Sequence, residues 1–89
     1  MIKVKFPTVF VQITGKRRIE VDGVTTVSQL LEKLFDEYPQ LKERLIKDGD
    51  LSPFINIFVN GEDIRFLNGL DTEIKDGDEV AFIPAISGG

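Results

Sequence analysis

Neither cysteine nor histidine occurs anywhere in the 89 residues, and tryptophan is missing too. The first absence excludes a disulfide framework and any thiolate metal site. The second removes the commonest general base and the commonest metal ligand. Zinc chemistry and histidine-assisted nucleophilic catalysis go with them, and no metal site is expected. Positive charge is also in deficit: 11 Lys and Arg stand against 15 Asp and Glu, a net charge of -4. Such a balance is unsuited to a nucleic-acid surface, for which a basic domain is expected. No apolar run approaches membrane-spanning length, and Met1-Ile2-Lys3-Val4 is too short an apolar start for a signal peptide, so no membrane partner is expected and the expected compartment is the cytoplasm. With 42% hydrophobic residues the chain fills one core but not two, so residues 1–89 read as a single domain.

The pattern along the chain alternates strand and helix signals. Ile2, Val4 and Phe6 alternate with Lys3 and Lys5, the period-two signature of a half-buried strand, and Pro7 ends or kinks it. Thr8 to Gly15 is apolar and partly β-branched, and reads either as a continuation of that strand or as a packed loop. The basic cluster Lys16-Arg17-Arg18 leads into a second strand with Ile19 and Val21 inward, closed by Asp22-Gly23. The cluster reads as a solvated turn and strand face.

Thr26-Val27-Ser28-Gln29 fits a capping box, in which the Thr26 hydroxyl accepts from the Gln29 backbone N–H while Gln29 reaches back. Val27, Leu30, Leu31, Leu34, Phe35 and Tyr38 then form one helical stripe, which Pro39 halts. A weaker helical turn or two is expected over Gln40 to Lys47. Phe54 to Val59 is a strong strand, Asn60-Gly61 is a hairpin signal, and Glu62 to Phe66 is the expected return strand. Leu70 and Ile74 dip inward between turns, and Glu79 to Ile83 is the last strand. The order predicts an α+β domain with one main helix packed across a mixed sheet of four to five strands, the β-grasp or ubiquitin-like arrangement.

The chain reads Ser87-Gly88-Gly89 at its end. Glycine has no Cβ to clash with channel walls, so such an end suits threading into a narrow active site with its carboxylate foremost. The alternative is an ordinary frayed terminus.

Several stretches together carry a family likeness. Phe54 to Phe66, Gly69-Leu70-Asp71-Thr72, Asp76-Gly77-Asp78-Glu79-Val80 and Ile83-Pro84-Ala85-Ile86-Ser87-Gly88-Gly89, set in a β-grasp order, resemble the ubiquitin-like sulfur carrier proteins. That family includes the small subunit of molybdopterin synthase, the thiamine-biosynthesis carrier and the carrier of a thiocarboxylate-dependent cysteine synthesis. The resemblance implies a flexible tail over about residues 84–89. It also implies that an adenylating partner similar to ubiquitin-activating enzymes uses ATP to join the Gly89 carboxylate to AMP. A sulfur donor then displaces AMP and leaves a Gly89 thiocarboxylate. Gly89 is then the reactive residue and Gly88 the one that lets the tail thread. The chain binds no cofactor itself and is a carrier or co-substrate rather than an enzyme, unless it serves as the small subunit of a molybdopterin synthase-type enzyme.

The implied second partner is a sulfur-accepting enzyme, either a molybdopterin synthase large subunit or a cysteine-synthase-like protein. Molybdopterin carriers often end in Phe-Pro-Pro-Val-x-Gly-Gly, and Ala85 stands here in place of the second proline. The Pro84-Ala85 ending, the Asn56-to-Arg65 hairpin and the Phe6-Pro7-Thr8 turn resemble the cysteine-synthesis carrier, and both acceptors stay open. Ubiquitin-like modifiers share the fold and the di-glycine, so conjugation of Gly89 to target lysines is the alternative function.

Strand parity indicates where a partner docks. If Ile55, Ile57 and Val59 face the helix, then Phe54, Asn56 and Phe58 face the other way. With Val80 and Phe82 inward, Ala81 and Ile83 share that outer face, and Pro84 adjoins them. Phe54, Phe58, Ala81, Ile83 and Pro84 are the expected partner-binding residues, since an apolar patch on a small acidic chain marks an interaction site. The bland alternative is that the Thr8-to-Gly15 segment covers Phe54 or Phe58.

Overall fold

The computed structural model describes residues 1–85. Seven strands and three helices follow in the order β1 (Ile2–Lys5), α1 (Thr8–Thr14), β2 (Arg18–Val21), α2 (Val27–Glu37), α3 (Pro39–Leu45), β3 (Ile46–Lys47), β4 (Asp50–Leu51), β5 (Ile55–Val59), β6 (Glu62–Asp63) and β7 (Glu79–Pro84). Five of them form one mixed sheet in the order β2-β1-β7-β5-β6, with β1 and β7 parallel at its centre and the other pairs antiparallel. The small β3–β4 hairpin stands apart. This is the expected α+β, β-grasp arrangement, with α2 across one face of the sheet. None of the described helices is long and apolar enough to cross a membrane.

The stripe read from the sequence is the one α2 buries: Val27, Leu30, Leu31 and Leu34 are all within 3% of full burial. They pack on Val4, Val21, Ile57, Val59 and Val80 from the sheet, with Phe35 and Tyr38 at the margin. The Thr26 hydroxyl accepts from the Gln29 N–H at 3.1 Å, as a cap should. The reciprocal half lands one residue earlier than expected, because the Gln29 side-chain oxygen accepts from the N–H and the hydroxyl of Thr25. The Thr26 backbone is instead engaged in a bridge to Glu73.

Three segments depart from the sequence reading. Thr8–Thr14 is a helix, neither a strand continuation nor a loop. Pro7 sits extended at its N-cap, and Gly15 closes it in the left-handed conformation, donating its N–H to the Val11 carbonyl at 2.7 Å. The β-branched composition gave way to burial: Phe10 and Thr14, one turn apart, are the residues α1 buries. Pro39 ends α2 but also begins α3 at its first turn, which leaves only Tyr38 non-helical between them. Ile46 and Lys47, expected as helix, pair instead with Leu51 and Asp50 across a turn at Asp48 and Gly49.

The hairpin after β5 is the third departure. Asn60 (φ 51°) and Gly61 (φ 86°) both adopt the positive φ that the expected type I′ turn requires. The return strand stops after Glu62–Asp63, and Ile64–Phe66 is a 3-10 turn rather than strand. Asp63 causes the break: its carboxylate accepts from the Arg65 backbone N–H at 2.9 Å and caps the turn.

An aromatic cluster fixes the far end of β7. Phe82 stacks on Phe6 at a centroid distance of 5.9 Å and meets Phe10 at 6.2 Å, while Phe6 meets Tyr38 edge-on at 6.4 Å. This end carries the chain toward Gly88 and Gly89.

Candidate functional site

The β5–β7 ladder sets Phe58 opposite Ala81 and Asn56 opposite Ile83, and the Ala85 N–H donates to the Phe54 carbonyl at 2.8 Å. Opposed residues share a face, so Asn56, Phe58, Ala81 and Ile83 form one strip on the side of the sheet away from α2, and Phe54 and Ala85, just outside the two strands, lie at its end. Phe54 is 59% exposed and Ile83 43%, whereas Phe82 between Ile83 and Ala81 is 3% exposed. Phe58 and Ala81 are half-buried. The parity expected for both strands therefore holds.

Pro84 differs from its expected neighbours. By register it pairs with Ile55 and belongs to the inner parity, yet it is exposed. The ladder also runs further than the sequence suggested. A tail expected to start at about residue 84 is still paired at Pro84 and hydrogen-bonded at Ala85. Gly88 and Gly89 lie outside the described residues.

Two depressions flank this end of β7. One, about 570 Å³, lies over the strip and is lined by Phe6, Pro7, Phe58, Ala81, Ile83 and Pro84. The other, about 470 Å³, is walled by Val9, Ile46, Lys47, Phe54, Pro84 and Ala85. Lys47 places its ammonium 5.8 Å from the Phe54 ring centroid, within cation–π range. Helix α1 thus borders Phe54 through Val9, itself 44% exposed, without burying the ring. Val9 and Lys47 were not singled out from the sequence; reading Thr8–Thr14 as a helix would have brought Val9 to the surface.

The polar surroundings fix the strip's geometry. Asn60 donates through Nδ2 to an Asp78 carboxylate oxygen at 3.0 Å and accepts from the Glu79 N–H at 3.0 Å, tying the hairpin turn to the start of β7. The Asn60 hydrogen bond, with one from the Lys75 N–H, holds the Asp78 carboxyl below its usual range. On the other side Asp63, opposite Phe58, takes Nε and Nη2 of Arg65 in a fork at 3.2 and 2.7 Å. Those hydrogen bonds lower the Asp63 pKa and raise that of Arg65. Toward β1 the apolar strip gives way to charge, with Lys5 paired to Glu79 at 3.3 Å. Among the described residues no three metal-ligating side chains come together.

This geometry has close parallels. The profile of the ThiS family matches residues 4–89. A putative sulfur carrier protein of Archaeoglobus fulgidus is 43% identical over 89 residues, covering 99% of this chain and 98% of its own. The small archaeal modifier protein 3 of Haloferax volcanii is 36% identical over 90 residues, with 99% and 98% covered. Among solved structures, a chain of the BexX/CysO complex of Amycolatopsis orientalis superposes with a TM-score of 0.89 at 38% identity, each chain covered in full.

Proposed function

The chain belongs to the ThiS family, and from that premise we propose that it is a sulfur carrier protein whose reactive group is the carboxylate of Gly89. In this reading a Gly89 carboxylate oxygen attacks the α-phosphorus of ATP on an adenylating partner and pyrophosphate leaves. A sulfur nucleophile then attacks the acyl carbon, the bond to AMP breaks, and the terminus is left as a thiocarboxylate. The partners supply the acid–base groups, which suits a chain with no Cys or His. It acts as a protein co-substrate.

The observation that carries the reading is the apolar strip at the root of the segment leading to Gly89. Phe54, Phe58, Ala81 and Ile83 give a partner something to hold, and Ala85 is still hydrogen-bonded to Phe54 beside them. Gripping the strip brings the terminal carboxyl within reach of a bound nucleotide and turns its activation into an effectively intramolecular step. Pro84 then directs the exit of the chain.

Ala85 bears on the sulfur acceptor. Its N–H donates to the Phe54 carbonyl, and a proline there has no N–H to give. The route from strip to terminus therefore differs from that of a Pro-Pro carrier. This favours a cysteine-forming acceptor over a molybdopterin synthase large subunit, in keeping with the likeness to the CysO-containing structure.

Conjugation of Gly89 to lysine amines is the second reading, favoured by the similarity to a small archaeal modifier protein. Intact mass after incubation with ATP, the cognate adenylating enzyme and sulfide separates them. Exchange of one oxygen for sulfur is the expected result; ladders of heavier, protein-linked adducts without that exchange would establish the modifier instead.

A further inference from the structure

Two Asn-Gly pairs occur in the chain, Asn60-Gly61 and Asn68-Gly69, and the fold holds them in opposite ways. Because glycine has no Cβ, its backbone nitrogen can reach the side-chain carbonyl carbon of a preceding asparagine more readily than that of any other residue. Asn-Gly is therefore the pair most open to loss of its amide. The third asparagine, Asn56, precedes β-branched Ile57 inside the β5–β7 ladder, where both residues are fixed.

Both glycines adopt positive φ, 86° at Gly61 and 58° at Gly69, and a Cβ added to either would meet nothing within 4 Å. Neither is shielded by packing. What separates the two pairs is the hold on the asparagine amide. Asn60 donates through Nδ2 to the Asp78 carboxylate and accepts the Glu79 N–H, so both ends of its amide are occupied. Swinging that amide toward Gly61 breaks both bonds, one of them to a charged acceptor. Asn68 is exposed, and among the described residues no hydrogen bond reaches its side chain. Only its backbone is tied: its N–H donates to the Thr72 hydroxyl at 3.0 Å and its carbonyl accepts from the Asp71 N–H at 3.1 Å. The Gly69 N–H, the attacking group, has no partner among the described residues.

We propose that Asn68 is a site of spontaneous modification to isoaspartate, from which Asn60 is protected, independently of the Gly89 chemistry. The Gly69 nitrogen attacks Cγ of Asn68 and gives up its proton, the Cγ–Nδ2 bond breaks, and ammonia leaves behind a succinimide. Water then adds at either ring carbonyl and leaves aspartate or isoaspartate at position 68. The isoaspartyl form routes the main chain through the side-chain carbon and lengthens it by a methylene. That extra length falls inside the link from Asn68 to Thr72, which is 6% exposed and whose carbonyl accepts the Val27 N–H at 3.0 Å at the start of α2. The modification therefore loosens the first turn of α2, and its new carboxylate suits an enzyme that methylates isoaspartyl carboxyls.

The test ages the intact chain in mildly alkaline buffer, folded and in urea, and maps its peptides by mass. In the folded chain the mass gain of an amide-to-acid conversion should appear on the peptide holding Asn68, with isoaspartate identified there by methyl transfer from a protein isoaspartyl methyltransferase. Asn60 should convert about tenfold more slowly or less, because its two hydrogen bonds must open first. In urea the two rates should become equal. Hydrogen exchange of the Val27 amide should quicken in the aged chain, and in Asn68→Gln, an exposed substitution, ageing should leave it unchanged. Conversion of Asn60 as fast as Asn68 in the folded chain, or of Asn68 only in urea, would overturn the assignment. Unaltered Val27 exchange after full conversion would overturn the link to α2.

Discussion

Adjacent residues in β7 make opposite predictions. Phe82 is 3% exposed, stacked on Phe6 and touching Phe10, whereas Ile83 is 43% exposed on the outer strip. Phe82→Ala empties a site that three aromatic rings share and should cost about 3–5 kcal/mol, as buried phenylalanine truncations do. For a domain of this length each kcal/mol moves the melting midpoint by about 4–8 °C, so the midpoint should fall by about 12 °C or more. Ile83→Asp removes a side chain that water already reaches. Its cost should stay near 1 kcal/mol, about the span of strand propensities. Its effect should appear instead in pyrophosphate release by the adenylating enzyme, because a carboxylate forced into an apolar contact loses hydration without gaining a partner. Melting curves and initial rates for both variants, taken at enzyme concentrations below saturation, give the comparison. Destabilisation by Ile83→Asp as large as that of Phe82→Ala, or an unchanged adenylation rate, would refute the assignment of the strip.

Leu34→Ala, at a position 1% exposed on the α2 stripe, should cost about 2–5 kcal/mol in urea unfolding; a loss under about 0.5 kcal/mol, the size of an ordinary surface change, would contradict the core described. Asp63 has a folded pKa below its unfolded one, so its contribution to stability is full above the ordinary carboxylate range and is lost as pH falls through the depressed value. Arg65→Gln should move the Asp63 titration, followed by carboxyl carbon shifts, to higher pH and shrink the stability that is lost in acid; an unmoved titration would show that the fork is not its cause.

The helix α2 was legible because three signals agreed, a capping hydroxyl, a continuous stripe and a following proline, and all three act locally. The parity of β5 and β7 was legible for the same reason: Ile55, Ile57 and Val59 alternate with residues the core does not need. Helix α1 was not, since Val9, Val11 and Ile13 favour strand on propensity and only the burial of Phe10 and Thr14 against other elements decides otherwise. The early end of β6 hinged on one carboxylate turning back onto the Arg65 N–H, a choice invisible in an alternation pattern. Of the site, Phe54, Phe58, Ala81 and Ile83 followed from parity, while Pro84 was grouped with them by sequence neighbourhood and separates from them by register. Val9 and Lys47 needed the three-dimensional packing that brings α1 and β3 beside Phe54.

The most direct test of terminal-carboxylate chemistry is deletion of Gly89, followed by pyrophosphate release and intact mass with the cognate adenylating enzyme, ATP and sulfide. The deletion should leave the melting midpoint where it was while abolishing both AMP and sulfur attachment, because the reacting carboxyl is displaced by a full residue from the geometry the partner requires. Gly88→Val should fail as well, since a β-branched side chain stiffens and widens the chain at that point. Adenylation and sulfur loading of the Gly89 deletion at the wild-type rate would contradict the assignment.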